Sequence, residues 1–162
     1  MNRVRAYVGG STVIAPVNGE HMAEHTFSSA LAYIKVHPTT GAASLMGNRC
    51  SSCGTVLLGA RRACPACCAR ESLEAFQLAT AGSLQSYTIV HRSYPGVKTP
   101  FIGAIVELDG GGVLKGTLRN FPADPALLSK GLRVRVQFAP TEQHDREGRA
   151  LVCHYFEAEP SS

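Results

Sequence analysis

The 162-residue sequence contains no tryptophan, and aromatic residues make up only 7% of it. Base-stacking platforms are therefore scarce, which counts against a chain built to hold single-stranded nucleic acid. Charged residues amount to 17% against 44% hydrophobic, a balance that excludes a disordered chain and leaves a globular one. No apolar run approaches the roughly 20 residues of a membrane span. The opening stretch, Met1 to Val17, carries Arg3 and Arg5 but lacks the continuous apolar core of a secretory signal. A net charge of +4 permits contact with a phosphate-bearing ligand or an acidic partner, and is too mild for a nucleic-acid footprint. The length accommodates one ordinary domain and a small appendage.

What the sequence does have is cysteine in a pattern. Cys50-Ser51-Ser52-Cys53 and Cys64-Pro65-Ala66-Cys67 are two CxxC hooks separated by ten residues. Hooks of this kind present four thiolates to one tetrahedral ion, and Gly54 relieves the turn after the first. The expected ligands are Cys50, Cys53, Cys64 and Cys67, and the expected ion is a structural zinc, which would lower the net charge by two. Cys68 follows directly and offers a thiol of its own, but the two-residue spacing and the Pro65 turn favour Cys67. CxxC pairs in an unsecreted chain point to a reducing compartment, so the cytoplasm is expected.

Three segments follow from this: an N-terminal extension (1–48), a zinc ribbon (49–74) and a β-rich domain (75–162). In the extension, a β-prone piece from Val4 to Ile14 is interrupted by Gly9-Gly10. Beyond it Met22, Phe27, Ala30, Leu31 and Ile34 fall on one face at helical spacing, with Pro38 and Gly41 as the stop, so an amphipathic helix is expected. Two uses fit it equally, packing on the main core or docking on another protein. His21-Met22-Ala23-Glu24-His25 matches H-x-x-E-H, a metalloprotease pattern, but the chain is too small and shows no third ligand, so these histidines are given no metal. Arg49, Arg61, Arg62 and Arg70 make the ribbon basic. For Arg49 and Arg70 a solvated surface balancing the thiolates suffices; Arg61 and Arg62 stay open to a phosphate or acidic-partner contact.

The third segment reads as strands. Tyr87, Ile89 and His91 alternate with Thr88 and Val90; Ile102, Ala104, Val106 and Leu108 share a face before the Asp109-Gly110-Gly111-Gly112 turn. Val113 to Arg119 is the return strand. A short helix is expected next, with Asp124 as N-cap, Pro125 first, Leu127 and Leu128 inward and Gly131 as C-cap. Leu132, Val134, Val136 and Phe138 then alternate with Arg133, Arg135 and Gln137, and Leu151 to Phe156 closes the set. Three strands, a helix and two strands is the order of a five-stranded OB barrel. The expected fold is therefore mainly β: a helical N-terminal extension, a four-cysteine ribbon and a C-terminal OB barrel.

Ribbon followed by barrel, with these local sequences, resembles the DUF35 family of OB-fold, acyl-CoA-associated proteins with a rubredoxin-like zinc ribbon. The residues that carry the resemblance are Arg49-Cys50-Ser51-Ser52-Cys53-Gly54, Arg62-Ala63-Cys64-Pro65-Ala66-Cys67, the run Gly82 to His91, the run Pro100 to Gly110, and Leu132-Arg133-Val134-Arg135-Val136. It spans roughly residues 45 to 158. The resemblance implies a zinc-binding accessory subunit in a hetero-oligomer with a thiolase-fold enzyme that makes or breaks carbon–carbon bonds in acyl-CoA substrates. Settings known for the family include the benzoylsuccinyl-CoA thiolase of anaerobic toluene degradation, aldolases that shorten steroid side chains and an acetyltransferase acting on phloroglucinols; the thiolase setting is taken first. Lys98, Lys115 and Arg119 flank the central hairpin and are the candidates for coenzyme A phosphates, each also readable as plain strand charge.

Thiolytic chemistry needs an activated cysteine, a base and an oxyanion hole. Cys153 sits mid-strand as a small hydrophobe, its neighbour His154 points to the other face, and Cys68 crowds the hook. No catalytic residue is therefore assigned, and the chemistry is expected of a partner. The competing classes are a nucleic-acid module, for which aromatic residues are short; a rubredoxin-like electron carrier, since four thiolates also bind iron; and an independent small enzyme, which the missing catalytic constellation opposes. Neither nucleic acid nor membrane is expected as a partner.

Overall fold

The computed structural model describes residues 6–8, 11–13, 27–37 and 40–160, and these form strands, turns and loops without a helix. Strands β1 (Ala6–Val8) and β2 (Ser11–Val13) make a hairpin that reaches β5 through Thr12 opposite Ala43. Then come β3 (Phe27–Ser28), β4 (Ile34–Val36), β5 (Ala43–Cys50), β6 (Val56–Leu58) and β7 (Leu73–Gln77). The barrel strands are β8 (Ala81–Val90), β9 (Phe101–Leu108), β10 (Val113–Arg119), β11 (Arg133–His144) and β12 (Ala150–Ala158).

The helix expected across Phe27 to Ile34 is not there; its beginning at Met22 and the HxxEH run lie outside the described residues. Phe27 and Ser28 instead lie parallel to Ala150 and Leu151 of β12. The Ser29 hydroxyl donates to the Val152 carbonyl at 3.2 Å and accepts from the Leu31 amide at 3.1 Å, forming a side-chain turn that competes with helix. The β-branched Ile34 and Val36 then pair with Leu45 and Ala43. Ile34 is buried, and Phe27 and Leu31 still pack on the core, so the apolar positions found their burial through an extended path. The second expected helix is also a single turn. Asp124 caps it, its Oδ1 accepting from the Ala126 amide at 2.9 Å, but only Leu128 turns inward while Leu127 stays 52% exposed.

The barrel follows the alternation read from sequence. Ile102, Ala104, Val106 and Leu108 are buried, as are Val134, Val136 and Phe138. Gln137, expected outward with its arginine neighbours, is buried too. Strand β8 pairs with β9 and, through Ala81–Ser83, with β11; β11 pairs with β12; and Leu118-Arg119 of β10 run parallel to Phe156-Glu157, closing the ring. Arg133 grips Asp109 with two nitrogens at 2.7 and 2.9 Å, tying the β9–β10 turn to β11.

Strand β5 serves two structures. Its first residues pair with β4, while Met46 to Cys50 pair with β7 and Gly47 to Arg49 with β6. Leu45 and Leu78, on either side of the ribbon, are buried in the same cluster as the barrel residues Leu84 and Phe156. The tip of the β9–β10 hairpin rests on the ribbon. Gly111, at φ +102°, lies so close that a Cβ would stand 3.1 and 3.2 Å from Val56 carbons.

Candidate functional site

The two hooks are built alike. Strand β5 delivers Cys50 and turns at once; the Gly54 amide donates to the Cys50 carbonyl at 2.8 Å, and the Cys50 amide to the Thr55 carbonyl at 2.9 Å. In the second hook the Cys68 amide donates to the Cys64 carbonyl at 2.8 Å, and the Cys64 amide to the Ala69 carbonyl at 2.9 Å. Each hook thus closes on a left-handed residue, Gly54 at φ +74° and Cys68 at φ +60°. Sequence reading left Cys68 as a spare thiol; the structure gives its backbone the job that glycine does in the first hook.

The four sulfurs of Cys50, Cys53, Cys64 and Cys67 lie within 4.8 Å of one another. Cys50 and Cys67 are 3.7 Å apart and Cys53 and Cys64 3.6 Å. A zinc ion at about 2.3 Å from each of four tetrahedral sulfurs requires sulfur separations of about 3.8 Å, so the donor set and its spacing fit. The four cysteines can hold a metal ion such as zinc. Cys50 and Cys64 are buried, Cys53 and Cys67 exposed, which places the cluster at the ribbon's surface with one side sealed.

Two supporting residues had no signature in the sequence. The Ser72 hydroxyl lies 3.4 Å from the Cys50 sulfur and is the main reason that thiol is lowered to about 6; burial opposes it, and the Cys53 and Ser52 amides assist. Thr55, 3.2 Å from the Cys53 sulfur, lowers that thiol with its hydroxyl and its amide. At Cys67 the Ala69 amide pulls downward, but the thiol contacts with Cys53, Cys50 and Cys64, together with burial, win and push it up to about 12.

A second candidate site lies at the far end of the β9–β10 hairpin. A groove of about 590 Å³ is lined by Val97, Lys98, Phe101, Leu118, Arg119 and Phe121 among others. It brings together two of the three basic residues singled out from sequence, Lys98 and Arg119. Lys115 lies elsewhere, on the exposed face of β10 opposite Ile105. The Arg119 guanidinium sits 4.5 Å over the Tyr155 ring.

Cys153 and His154 stay apart as a pair. His154 Nε2 meets the Lys115 carbonyl at 2.9 Å; a carbonyl only accepts, so Nε2 carries the proton. Its ring is wedged between Tyr33 and Phe156, edge to face at 5.7 and 5.9 Å, and burial lowers its pKa.

The architecture defines a class: an OB barrel carrying a four-cysteine ribbon. Residues 76–139 match the family model described as the ChsH2 C-terminal OB-fold domain. A "DUF35 domain-containing scaffold protein" of Methanocaldococcus jannaschii is 27% identical over 106 residues, covering 64% of this chain and 74% of that one. A chain of the "Ltp2-ChsH2(DUF35) aldolase" superposes with a TM-score of 0.55 at 25% identity, covering 71% of this chain and 84% of that one. A DUF35-family protein of Sulfolobus solfataricus is a more distant likeness, with a TM-score of 0.46 at 18% identity over 72% of this chain and 76% of that one. The chain is similar to proteins of the DUF35 OB-fold family, and the family match itself covers the barrel segment 76–139.

Proposed function

We propose that this chain is a non-catalytic, zinc-binding accessory subunit of a cytoplasmic enzyme that makes or breaks carbon–carbon bonds in acyl-CoA substrates, its partner being a thiolase-fold protein. The observation that carries the reading is the superposition of 71% of this chain on 84% of a chain of the "Ltp2-ChsH2(DUF35) aldolase". The scaffold description of the M. jannaschii relative supports it from a second side. The thiolase setting comes first from the family resemblance; the aldolase neighbour favours retro-aldol cleavage as the second reading.

In this role Cys50, Cys53, Cys64 and Cys67 hold zinc, which supplies cross-linking and no reaction chemistry. Structural zinc contributes roughly 10–16 kcal/mol of apparent binding energy in zinc-finger peptides, enough to fix a ribbon that has little core of its own. The barrel offers the partner a rigid face. Affinity purification of the tagged chain from its native source, with mass spectrometry of co-eluting proteins, tests the reading. A stoichiometric thiolase-fold protein is expected. Recovery of nucleic acid, polymerase subunits or the chain alone would overturn it. Colourless protein with one equivalent of zinc is expected; a red protein would mean ferric thiolate and an electron carrier.

A further inference from the structure

We propose that the His154 imidazole is a proton-released latch on the barrel: neutral, it holds β10 against β12; protonated, it leaves and opens that seam. Backbone pairing between the two strands covers Leu118 with Phe156 and Arg119 with Glu157, and then stops. Toward the hairpin end of β10 the imidazole takes over from the ladder. Its Nε2–H donates to the Lys115 carbonyl at 2.9 Å, bridging from β12 to the edge of β10. Gly116 makes the room for it. A Cβ there would stand 2.8 Å from a Phe156 ring carbon and 3.0 Å from His154 Nε2. Tyr33 and Phe156 close on the ring edge to face.

The second ring nitrogen makes the latch sensitive to protons. His154 Nδ1 is buried and has no hydrogen-bond partner among the described residues. A proton placed on it creates a buried donor with nothing to receive it, and a buried charge besides. The titratable groups around the ring are Tyr33 from the segment before β4, Cys153 on β12 and Lys115 on β10. None of them is a carboxylate. Burial keeps the Tyr33 phenol neutral, Lys115 occupies an exposed strand position, and β11 sets Phe138 opposite His154. The imidazolium therefore gains only by turning out to water, and that movement gives up the Nε2 bond. Burial accordingly holds the ring's pKa below its ordinary value. Release uncovers the β10 edge around Lys115, a strand edge that the neutral protein keeps occupied.

The latch belongs to this chain alone, so its test needs no partner enzyme. Full-length, zinc-loaded chain labelled with nitrogen-15 and carbon-13 is followed by NMR from pH 7.5 to 5.5. At pH 7.5 the His154 ring is expected as the Nε2–H tautomer, with Overhauser contacts to Tyr33 and Gly116. Those contacts should fade below pH about 6.5, while contacts between Leu118 and Phe156 persist. The ratio of open to closed seam should grow by up to about tenfold per pH unit, levelling at the closed-state pKa. His154→Gln should abolish this pH dependence, and Cys153→Ser should leave it in place. Ring contacts intact at pH 5.5, an Nδ1–H tautomer at pH 7.5, or a transition that survives in His154→Gln would each overturn the latch. So would a transition that vanishes in Cys153→Ser, or one that coincides with zinc release or with loss of the Leu118–Phe156 contacts. Should His154→Gln not fold, the ring contacts of the unaltered chain decide.

Discussion

Cys68 shows how much one residue can mislead. As a thiol beside a four-cysteine cluster it invites a chemical role, yet its left-handed backbone, not its sulfur, does the work. Non-glycine residues held there cost about 1–3 kcal/mol, and glycine loses about 0.4–1 kcal/mol of that advantage through a freer unfolded chain. Cys68→Gly is therefore expected to keep full zinc and raise the melting temperature by about 2–4 °C. Cys50→Ser or Cys64→Ser is expected to lose zinc and unfold the ribbon, as read by metal analysis and thiol titration. Stoichiometric zinc in both serine variants would sink the metal assignment. The ligands were legible because spacing encodes them; Ser72 and Thr55 were not, because a single hydroxyl in the residue just before a strand leaves no pattern.

Among the elements, strands with strict alternation were legible and short apolar stretches were not. Ile102 to Leu108 and Val134 to Phe138 can bury one face only as strands. The set Phe27, Leu31 and Ile34 fits a helix face and a strand–turn–strand equally well, and pairing with β5 and β12 decides it. Likewise Asp124-Pro125 starts a turn that Gly131 ends before a helix can form. The site's second half, the groove, was half legible: Lys98 and Arg119 were found by charge, whereas their convergence depends on the β9–β10 register that sets Leu118 opposite Ile102, and Lys115 lies four residues away along β10, beyond the groove.

Strand β12 carries a pH-sensitive element in His154. Its folded pKa lies below the ordinary value of about 6.5, so the neutral ring stabilises the fold fully above that pH. That stability is lost as pH falls through 6.5 toward the folded pKa, when the unfolded chain takes a proton that the buried ring refuses. Denaturant midpoints should drop between pH 7.5 and 5.5, and His154→Gln should flatten that slope; an identical slope in the variant would exclude His154 as its source. At the β9–β10 tip, Gly111→Ala is expected to cost about 1–3 kcal/mol through its positive φ, before the contact with Val56 is counted. Faster amide exchange at both the hairpin tip and Val56–Leu58 would confirm that the two move together.

On the scale of the whole molecule, ribbon and barrel share one hydrophobic cluster, but their stability comes from different sources. Chelation of the metal should speed amide exchange across residues 46–77 while β8 to β12 remain protected, because the barrel closes through its own strand pairs. Loss of protection in both at once would mean a single cooperative unit.

Strand β5 adds a constraint on how such a protein can be rearranged. It leaves the barrel-side sheet and enters the ribbon without a break, so the ribbon has no severable edge at its start. It is not a cassette that recombination can lift out and insert elsewhere. A transplant would have to carry Ile34 through Leu78 to bring the strand and its partners along, and a fragment beginning at residue 49 would leave both hooks anchored to nothing.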